Sequence, residues 1–383
     1  MPDPSYTAAL DRLTRFLPEA GRNYAARRNY DDRGGVSVLS PYIRHRIITE
    51  DDVLRATLAR HSPQAAEKFV QEVFWRTYWK GWLELHPTIW TSYQSDLRAA
   101  LNRVQTESGL RQEWEAACKG GTGIDCLDHW AKELAATGYL HNHARMWFAS
   151  IWIFTLRLPW ALGADFFLRH LIDGDPASNT LSWRWVGGLQ TQGKTYLARA
   201  DNIEKYTKGR FRPNGLATHA TALDGPPTPP PGPVPQSDAI ETNKRTGLLL
   251  TEEDLSPGWL LDRITPVATA RVQTTAQRSP LAVSPLVTDF VSAAMTNCTQ
   301  RFADRMGPIT ELSPNGIRQW AAEHDLEQVV TAYAPTGPTA DALRGTALQR
   351  IIRPYDSRAW PCATHGFFRF KDQIPKLLST IAG

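Results

Sequence analysis

The stretch Gly138–Trp185, GYLHNHARMWFASIWIFTLRLPWALGADFFLRHLIDGDPASNTLSWRW, decides the fold. Its apolar and aromatic residues recur at helical spacing, and breaks at 159–163 and 174–179 divide it into three buried helices. Polar groups gather at those breaks: Asn142, Arg145, Asp173, Asp175 and Asn179. A charge in such surroundings must be paired or it costs several kcal/mol. One Arg and two Asp therefore read either as an ion pair facing a polar ligand or as a satisfied structural network. The tryptophans around them make any such ligand aromatic.

The chain has 383 residues and a mass of 42.9 kDa, enough for two domains with separate cores. No apolar run reaches the roughly 18 residues needed to span a bilayer; even between Trp147 and Trp160 Arg157 interrupts. The segment MPDPSYTAALDRL has no basic region followed by an apolar run, so a soluble, cytoplasmic protein without a cleaved secretion signal is expected. Cys118, Cys126, Cys298 and Cys362 form no C-x-x-C pair, which predicts separate reduced thiols and no metal site. Up to residue 212 there are 28 Lys+Arg against 23 Asp+Glu, so the mild basic excess belongs to the first half, where 11 of the 14 Trp also lie.

Outward from the central stretch, residues 5–22 read as an amphipathic helix. Gly34-Gly35 permits close approach of the next loop, and Ser40-Pro41 reads as a helix start with Ser as N-cap. The free N–H groups around Ser37, Leu39 and Ser40 are suited to a phosphate, although most capped helices bind nothing. Over 63–84 a helix places Glu72, Trp75, Arg76 and Trp79 along one face, a mixture that a plain core stripe lacks. A glycine loop and a helix follow over 120–143. His141 and His143 point apart, so joint metal ligation is not expected.

After Phe211 the composition turns proline-rich, predicting a polyproline linker at 213–244. Beyond it, alternating patterns predict strands at 248–250, 267–272, 308–312, 326–333 and 351–354, with helices at 284–305, 314–324 and 338–348. That series predicts a doubly wound α/β domain over 245–383. No G-x-G-x-x-G accompanies it.

Three phrases in order, HNHARM (141–146), LIDGDPASN (171–179) and the W-x-W of Trp183 and Trp185, resemble the flavin-binding domain of the DNA photolyase/cryptochrome family. Glu72-x-x-Trp75-Arg76 and the run Val36-Ser37-Val38-Leu39-Ser40-Pro41-Tyr42 are similar to its E-x-x-W-R and T-S-x-L-S-P-Y, the first hydroxyl being lost to Val36. Thr122-Gly123 with Asp128 matches a third motif, read as structural. The resemblance implies an all-α FAD-binding domain over 1–212 followed by an antenna-type α/β domain, the reverse of the usual order. Within 245–383, Gly247–Leu255 resembles the antenna domain's opening strand and loop, and THGFFRFKDQIPKLL its end.

What the resemblance implies for chemistry is specific. FAD is held by Tyr24, Ser37, Leu39, Ser40, Arg145, Asp173, Asp175 and Asn179, with Asn179 beside the flavin N5 as in repair enzymes. Glu72, Trp75, Asn142, Met146 and Trp185 contact a flipped-out lesion, and Asn142 matches enzymes acting on cyclobutane pyrimidine dimers. Arg28 and Arg76 grip phosphates of ultraviolet-damaged DNA. Trp183 and Trp160 match two members of an electron-transfer triad whose outermost member has no counterpart; Trp114, Trp130, Trp147 and Trp152 are the substitutes considered. A monomeric, light-driven lyase is implied, with a second antenna chromophore of unknown identity. The family's helical domain continues past Phe211, which keeps a blue-light photoreceptor with little repair activity as the alternative.

Overall fold

The structure is a computed structural model and describes residues 1–382. The chain begins with α1 (Tyr6–Phe16), α2 (Arg22–Arg27), α3 (Ser40–Arg44), α4 (Glu50–Arg60), α5 (Glu67–Leu85) and α6 (Thr88–Thr106). Next come α7 (Ser108–Lys119), α8 (Asp125–Thr137), α9 (Asn142–Ser150), α10 (Trp160–His170), α11 (Pro176–Val186) and α12 (Ala200–Tyr206). The second half carries β1 (Thr246–Thr251), α13 (Gly258–Leu261), β2 (Ala268–Val272), α14 (Pro285–Arg301), α15 (Ala303–Met306), β3 (Ile309–Leu312), α16 (Ile317–Glu323) and β4 (Gln328–Ala332). It ends with α17 (Pro338–Ala342), β5 (Gln349–Ile351), α18 (Pro354–Ala359), α19 (Phe367–Lys371) and α20 (Ile374–Ala382).

Two compact units result, and they cut across the boundaries expected from composition. One comprises residues 22–36 and 86–230; the other comprises 1–21, 37–85 and 231–383. The switch at 230–231 falls inside the proline-rich segment, where 213–244 has neither helix nor strand. The departure is that 1–21 and 37–85, expected in the helical domain 1–212, belong with the α/β sheet. Within this unit α3 and the turn after it are bonded to the loop following β1, and α4 and α5 pack against the C-terminal helices.

The helical unit is built on the expected three helices. α9 runs into a π-turn at Ile151–Thr155, where the Leu156 N–H reaches the Ile151 carbonyl at 2.9 Å, and Pro159 then starts α10. Trp130, Trp147, Trp152 and Trp183 are wholly buried. Gly163 on α10 is required by contact: a Cβ there would lie 2.3 Å from the Trp183 ring. Asp128 accepts bonds from Thr122 N–H and Oγ1 and from Gly123 N–H at 2.7–2.9 Å, tying the glycine loop to α8 as a structural brace.

In the other unit the sheet has order β3-β2-β1-β4-β5 with every pairing parallel. This is the doubly wound α/β arrangement that the alternating patterns predict. Its inner core joins Leu249, Ala270, Val272 and Val329 to Ile317 and Trp320. After β5 the chain leaves the sheet, and α18 to α20 pack against α4 and α5. THGFFRFKDQIPKLL therefore buttresses a helix pair.

Candidate functional site

In the helical unit, α9 sets Arg145 so that its Nη2 donates to both oxygens of Asp173 at 3.0 and 2.8 Å. Its Nε donates to the Leu140 carbonyl at 2.8 Å. Asp173 is 5% exposed, and with both oxygens accepting from the one Nη2 its charge is compensated by a fixed ion pair. Asp175 ends the loop and caps α11, accepting from the Ser178 N–H at 2.8 Å, with Pro176 as the first helical residue. Asn179, one turn on, is buried and donates from Nδ2 to the Ala164 carbonyl at 2.8 Å. Its Oδ1 takes no partner among the described residues. On the same helix, Thr180 Oγ1 and Trp183 Nε1 are buried without a hydrogen-bond partner. Unpaired polar atoms in a core are costly, so α11 offers bonding capacity that its own unit does not use. Oriented amide and guanidinium groups on an aromatic-walled helix pair fit the polar edge of a planar heteroaromatic ring.

Other expected residues of this unit lie close along the chain. Asn142 opens α9 and is exposed, Met146 is half-buried one turn later, and Trp185 stacks on Tyr196 at 5.6 Å. α9 and α11 pack against each other, so the Asn142–Met146 turn and the Asp173–Trp185 segment form one region. Tyr24 on α2 is buried and carries the Arg28 guanidinium 5.9 Å from its ring centre. Gly35 closes the following loop, a Cβ there lying 2.6 Å from the Arg27 carbonyl. Trp160 opens α10 and touches Tyr93 at 5.7 Å; Trp152 meets Trp183 edge-on at 6.2 Å. Of the other substitutes, Trp130 and Trp147 stack on each other at 5.5 Å.

The remaining expected residues belong to the α/β unit. α3 begins at Ser40, so Leu39 stands in the N-cap position that Ser40 was expected to fill, and no side chain caps the helix. The Ser37 hydroxyl accepts the Leu39 N–H at 3.3 Å, and Pro41 has no N–H, so the Ser40 N–H is the donor left in the first turn. Val38 and Arg46 hold left-handed conformations, φ +54° and +49°, on either side of this short helix. On α5, Glu72 and Arg76 are partly exposed. Trp75 is not open on both faces. Phe367 of α19 lies over it with ring centres 3.5 Å apart and planes 10° from parallel, and Trp79 leans against it at 5.3 Å. The expected stacking plane is thus occupied on one side by the segment expected to close an antenna domain.

Composition gave no warning of the polar network that organises this unit. Arg44 is bidentate to Glu253 at 2.7 and 2.9 Å, and Arg46 reaches Glu50, Asp356 and Asp254 at 3.2, 2.7 and 3.9 Å, all buried. Burial alone pushes the Glu253 carboxyl up, but Arg44 outweighs it and holds the group below the usual carboxylate range. His45 donates from Nδ1 to the Glu252 carbonyl at 2.8 Å; burial, helped by Arg44 and Arg278, pulls its pKa well down and keeps the ring neutral. Glu252 accepts bonds from the Thr274 N–H and hydroxyl and from Thr275, while burial and Glu253 push its carboxyl up. These residues sit at the carboxyl ends of β1 and β2, beside the point between β1 and β4 where strand order reverses. There an open α/β sheet ordinarily takes its ligand. Here the crevice is filled by the chain's own Arg44, Thr274 and Thr339, the last donating to Glu253 at 3.0 Å. The run TEED (251–254) was the available sequence signal.

The aromatic-walled helical unit thus carries a fixed Arg–Asp ion pair and a buried Asn on neighbouring helices. Residues 69–215 match the family described as the FAD binding domain of DNA photolyase. The chain is 35% identical over 199 residues to a deoxyribodipyrimidine photo-lyase of Thermus thermophilus, covering 51% of this chain and 46% of the relative. To the enzyme of the same name from Vibrio cholerae it is 27% identical over 215 residues, covering 53% and 43%. A solved class III photolyase from Agrobacterium tumefaciens aligns with TM-score 0.45 at 27% identity, over 53% of this chain and 43% of that one. The chain thus spans less than half the length of these relatives. Tyr24, Arg28, Ser37, Leu39 and Ser40 lie outside the matched residues.

Proposed function

We propose that the protein binds FAD and repairs cyclobutane pyrimidine dimers in ultraviolet-damaged DNA by light-driven electron transfer to a flipped-out lesion, as a deoxyribodipyrimidine photolyase-type lyase. The observation that carries the reading is the Arg145–Asp173 ion pair and the buried Asn179 within the residues that match an FAD-binding family. FAD, when bound, supplies a light-excitable electron donor and acceptor. Arg145 and Asp173, locked by their ion pair, would hold one ring edge in a fixed electrostatic environment, and Asp175 is assigned to the imide side. Asn179, its amide nitrogen fixed on the Ala164 carbonyl, is assigned to the flavin N5, where its amide would govern a proton. Tyr24, Ser37, Leu39 and Ser40 are assigned to the remainder of the cofactor. Asn142, Met146 and Trp185, with Glu72 and Trp75, are assigned to the lesion, and Arg28 and Arg76 to backbone phosphates. Trp183 and Trp160 are assigned to supplying electrons.

A second antenna chromophore of unknown identity is kept as part of the proposal, without an assigned site. We infer that the α/β unit also serves to hold α3 and α5. One observation favours the alternative of a blue-light receptor with little repair activity: Phe367 covers a face of Trp75.

The experiment is to purify the protein, look for flavin absorption, and follow dimer loss from irradiated DNA in blue light and in darkness. Flavin with light-dependent loss supports repair; flavin that photoreduces without loss supports a receptor; a colourless protein that refuses excess FAD defeats both. No helix in the described residues is long and apolar enough to cross a membrane.

A further inference from the structure

We propose that Trp79 and Arg76 clamp one nucleotide of the damaged strand beside the lesion, its base lying on the indole and its phosphate on the guanidinium. This deepens the repair reading and rests on it.

Glu72, Trp75, Arg76 and Trp79 share one face of α5, and of the four only Trp79 is still without a role. Its surroundings give it one. A nucleobase stacks on a flat aromatic side chain that has a face to spare. Trp75 has lost a face to Phe367, whose ring lies over it at 3.5 Å and 10° from parallel, and Tyr78 is 3% exposed. Trp79 is half-buried. Its ring neighbours, Trp75 and Tyr78, both belong to its own helix and lie at 5.3 and 5.0 Å, tilted by 35° and 48°. Among the described residues no ring lies parallel over it. Trp75, pinned by Phe367, props the Trp79 indole from one side. A platform already held in place loses little side-chain freedom when a base lands on it.

Arg76 supplies the charge. It stands one turn before Trp79, enters no ion pair among the described residues, and has its Nη1 buried without a hydrogen-bond partner. Other guanidiniums of this unit are compensated, Arg44 by Glu253 and Arg46 by Glu50 and Asp356. A cationic donor taken out of water is costly until an anion completes it, and phosphate oxygens suit a guanidinium well. Arg76 and Trp79 thus offer, one helical turn apart, the two contacts that a single unstacked nucleotide needs. Lys68, exposed on the same face two turns before Arg76, continues a cationic path for the strand.

A double cycle tests the clamp. Affinity is measured by fluorescence anisotropy for a dye-labelled single-stranded oligonucleotide carrying one cyclobutane dimer, with the base on either flank present or replaced by an abasic site. For wild type, removing the base on one flank weakens binding by about fivefold or more. Trp79→Leu weakens binding of the intact oligonucleotide by a similar factor and loses nothing further when that flank is abasic, because base and indole make one interaction between them. Trp79→Phe keeps a ring and retains most of the affinity. Arg76→Gln lowers the slope of log Kd against log salt by about 0.7, the value for one phosphate of a single strand. The clamp is overturned if wild type binds both abasic-flanked strands as tightly as the intact one, a comparison that needs no variant to fold. It is equally overturned if the Trp79→Leu and abasic losses multiply on both flanks. Either result leaves dimer repair standing, whereas a protein that binds no dimer-bearing strand overturns both.

Discussion

Arg46 is a residue whose backbone and side chain pull in opposite directions, and replacing it by glycine separates the two. Its φ of +49° is left-handed, which costs an L-residue roughly 1–2 kcal/mol and glycine almost nothing. Its guanidinium lies among Glu50, Asp254 and Asp356, brought together from α4, the loop after β1 and α18. Removing one partner of a buried ion pair costs roughly 3–5 kcal/mol because the other charge is left uncompensated. The charge term is the larger, so Arg46→Gly destabilises this unit by about 2–3 kcal/mol at pH 7 despite the relieved backbone. With a urea m-value of about 2 kcal/mol/M, the unfolding midpoint falls by about 1 M. The deficit also depends on pH. In the native protein Arg46 and Lys80 outweigh burial and hold the Glu50 carboxyl below its ordinary 4.5, so its contribution is present above that value and fades as pH falls. Without Arg46, burial raises the same group, and stability is lost as pH rises through 4.5. The gap between variant and wild type therefore narrows from pH 7 towards pH 4. A variant as stable as wild type at pH 7, or a gap that widens on acidification, refutes the assignment of Arg46 as an electrostatic tie.

Three further outcomes are expected. Asp175→Ala loses the α11 cap, about 1 kcal/mol, whereas Asp175→Asn keeps it; FAD retention by Asn but not Ala, measured by flavin absorption after gel filtration, assigns Asp175 to capping, and loss in both assigns it to the cofactor. Gly163→Ala drives a methyl into the Trp183 and Trp152 rings, costing about 1–3 kcal/mol in thermal or urea unfolding, and lowers photoreduction because Trp183 must move. Phe367→Ala, which removes a buried ring at about 3–5 kcal/mol, raises affinity for irradiated over intact oligonucleotide if Trp75 serves as a lesion platform, with Trp75→Ala lowering it; equal affinities confine that indole to packing.

The helices of Gly138–Trp185 and the parallel strands were legible because each rests on a local period: 3.6 for the buried helices, 2 for the strands. Asp173 and Arg145 were legible as a pair because charges embedded in an apolar run have few alternatives to each other. The unit boundaries were not. They depend on Arg44 meeting Glu253 and Arg46 meeting Asp356, contacts more than 200 residues apart in sequence, and no local pattern distinguishes such a charge from a solvated one. Phe367 was hidden for the same reason: a stacking partner 292 positions from Trp75 leaves no periodic trace. Ser40 moved from N-cap to first helical residue because Val38 turns left-handed, a conformation that a β-branched residue does not advertise.

The two networks also differ in what they leave over, and that difference bears on function. At the sheet's switch point Glu252 has its Thr donors and Glu253 its guanidinium fork, while His45 Nε2 is left buried without a partner. Along α11, Thr180 Oγ1 and Trp183 Nε1 are buried without partners, and the Asn179 amide nitrogen is fixed on the Ala164 carbonyl. An unsatisfied buried polar atom calls for an explanation, and a bound ligand is one. A planar, hydrogen-bonding cofactor has such atoms to bond along α11, and titrating FAD into protein carrying Thr180→Val together with Asn179→Ala weakens binding without loosening the α/β unit.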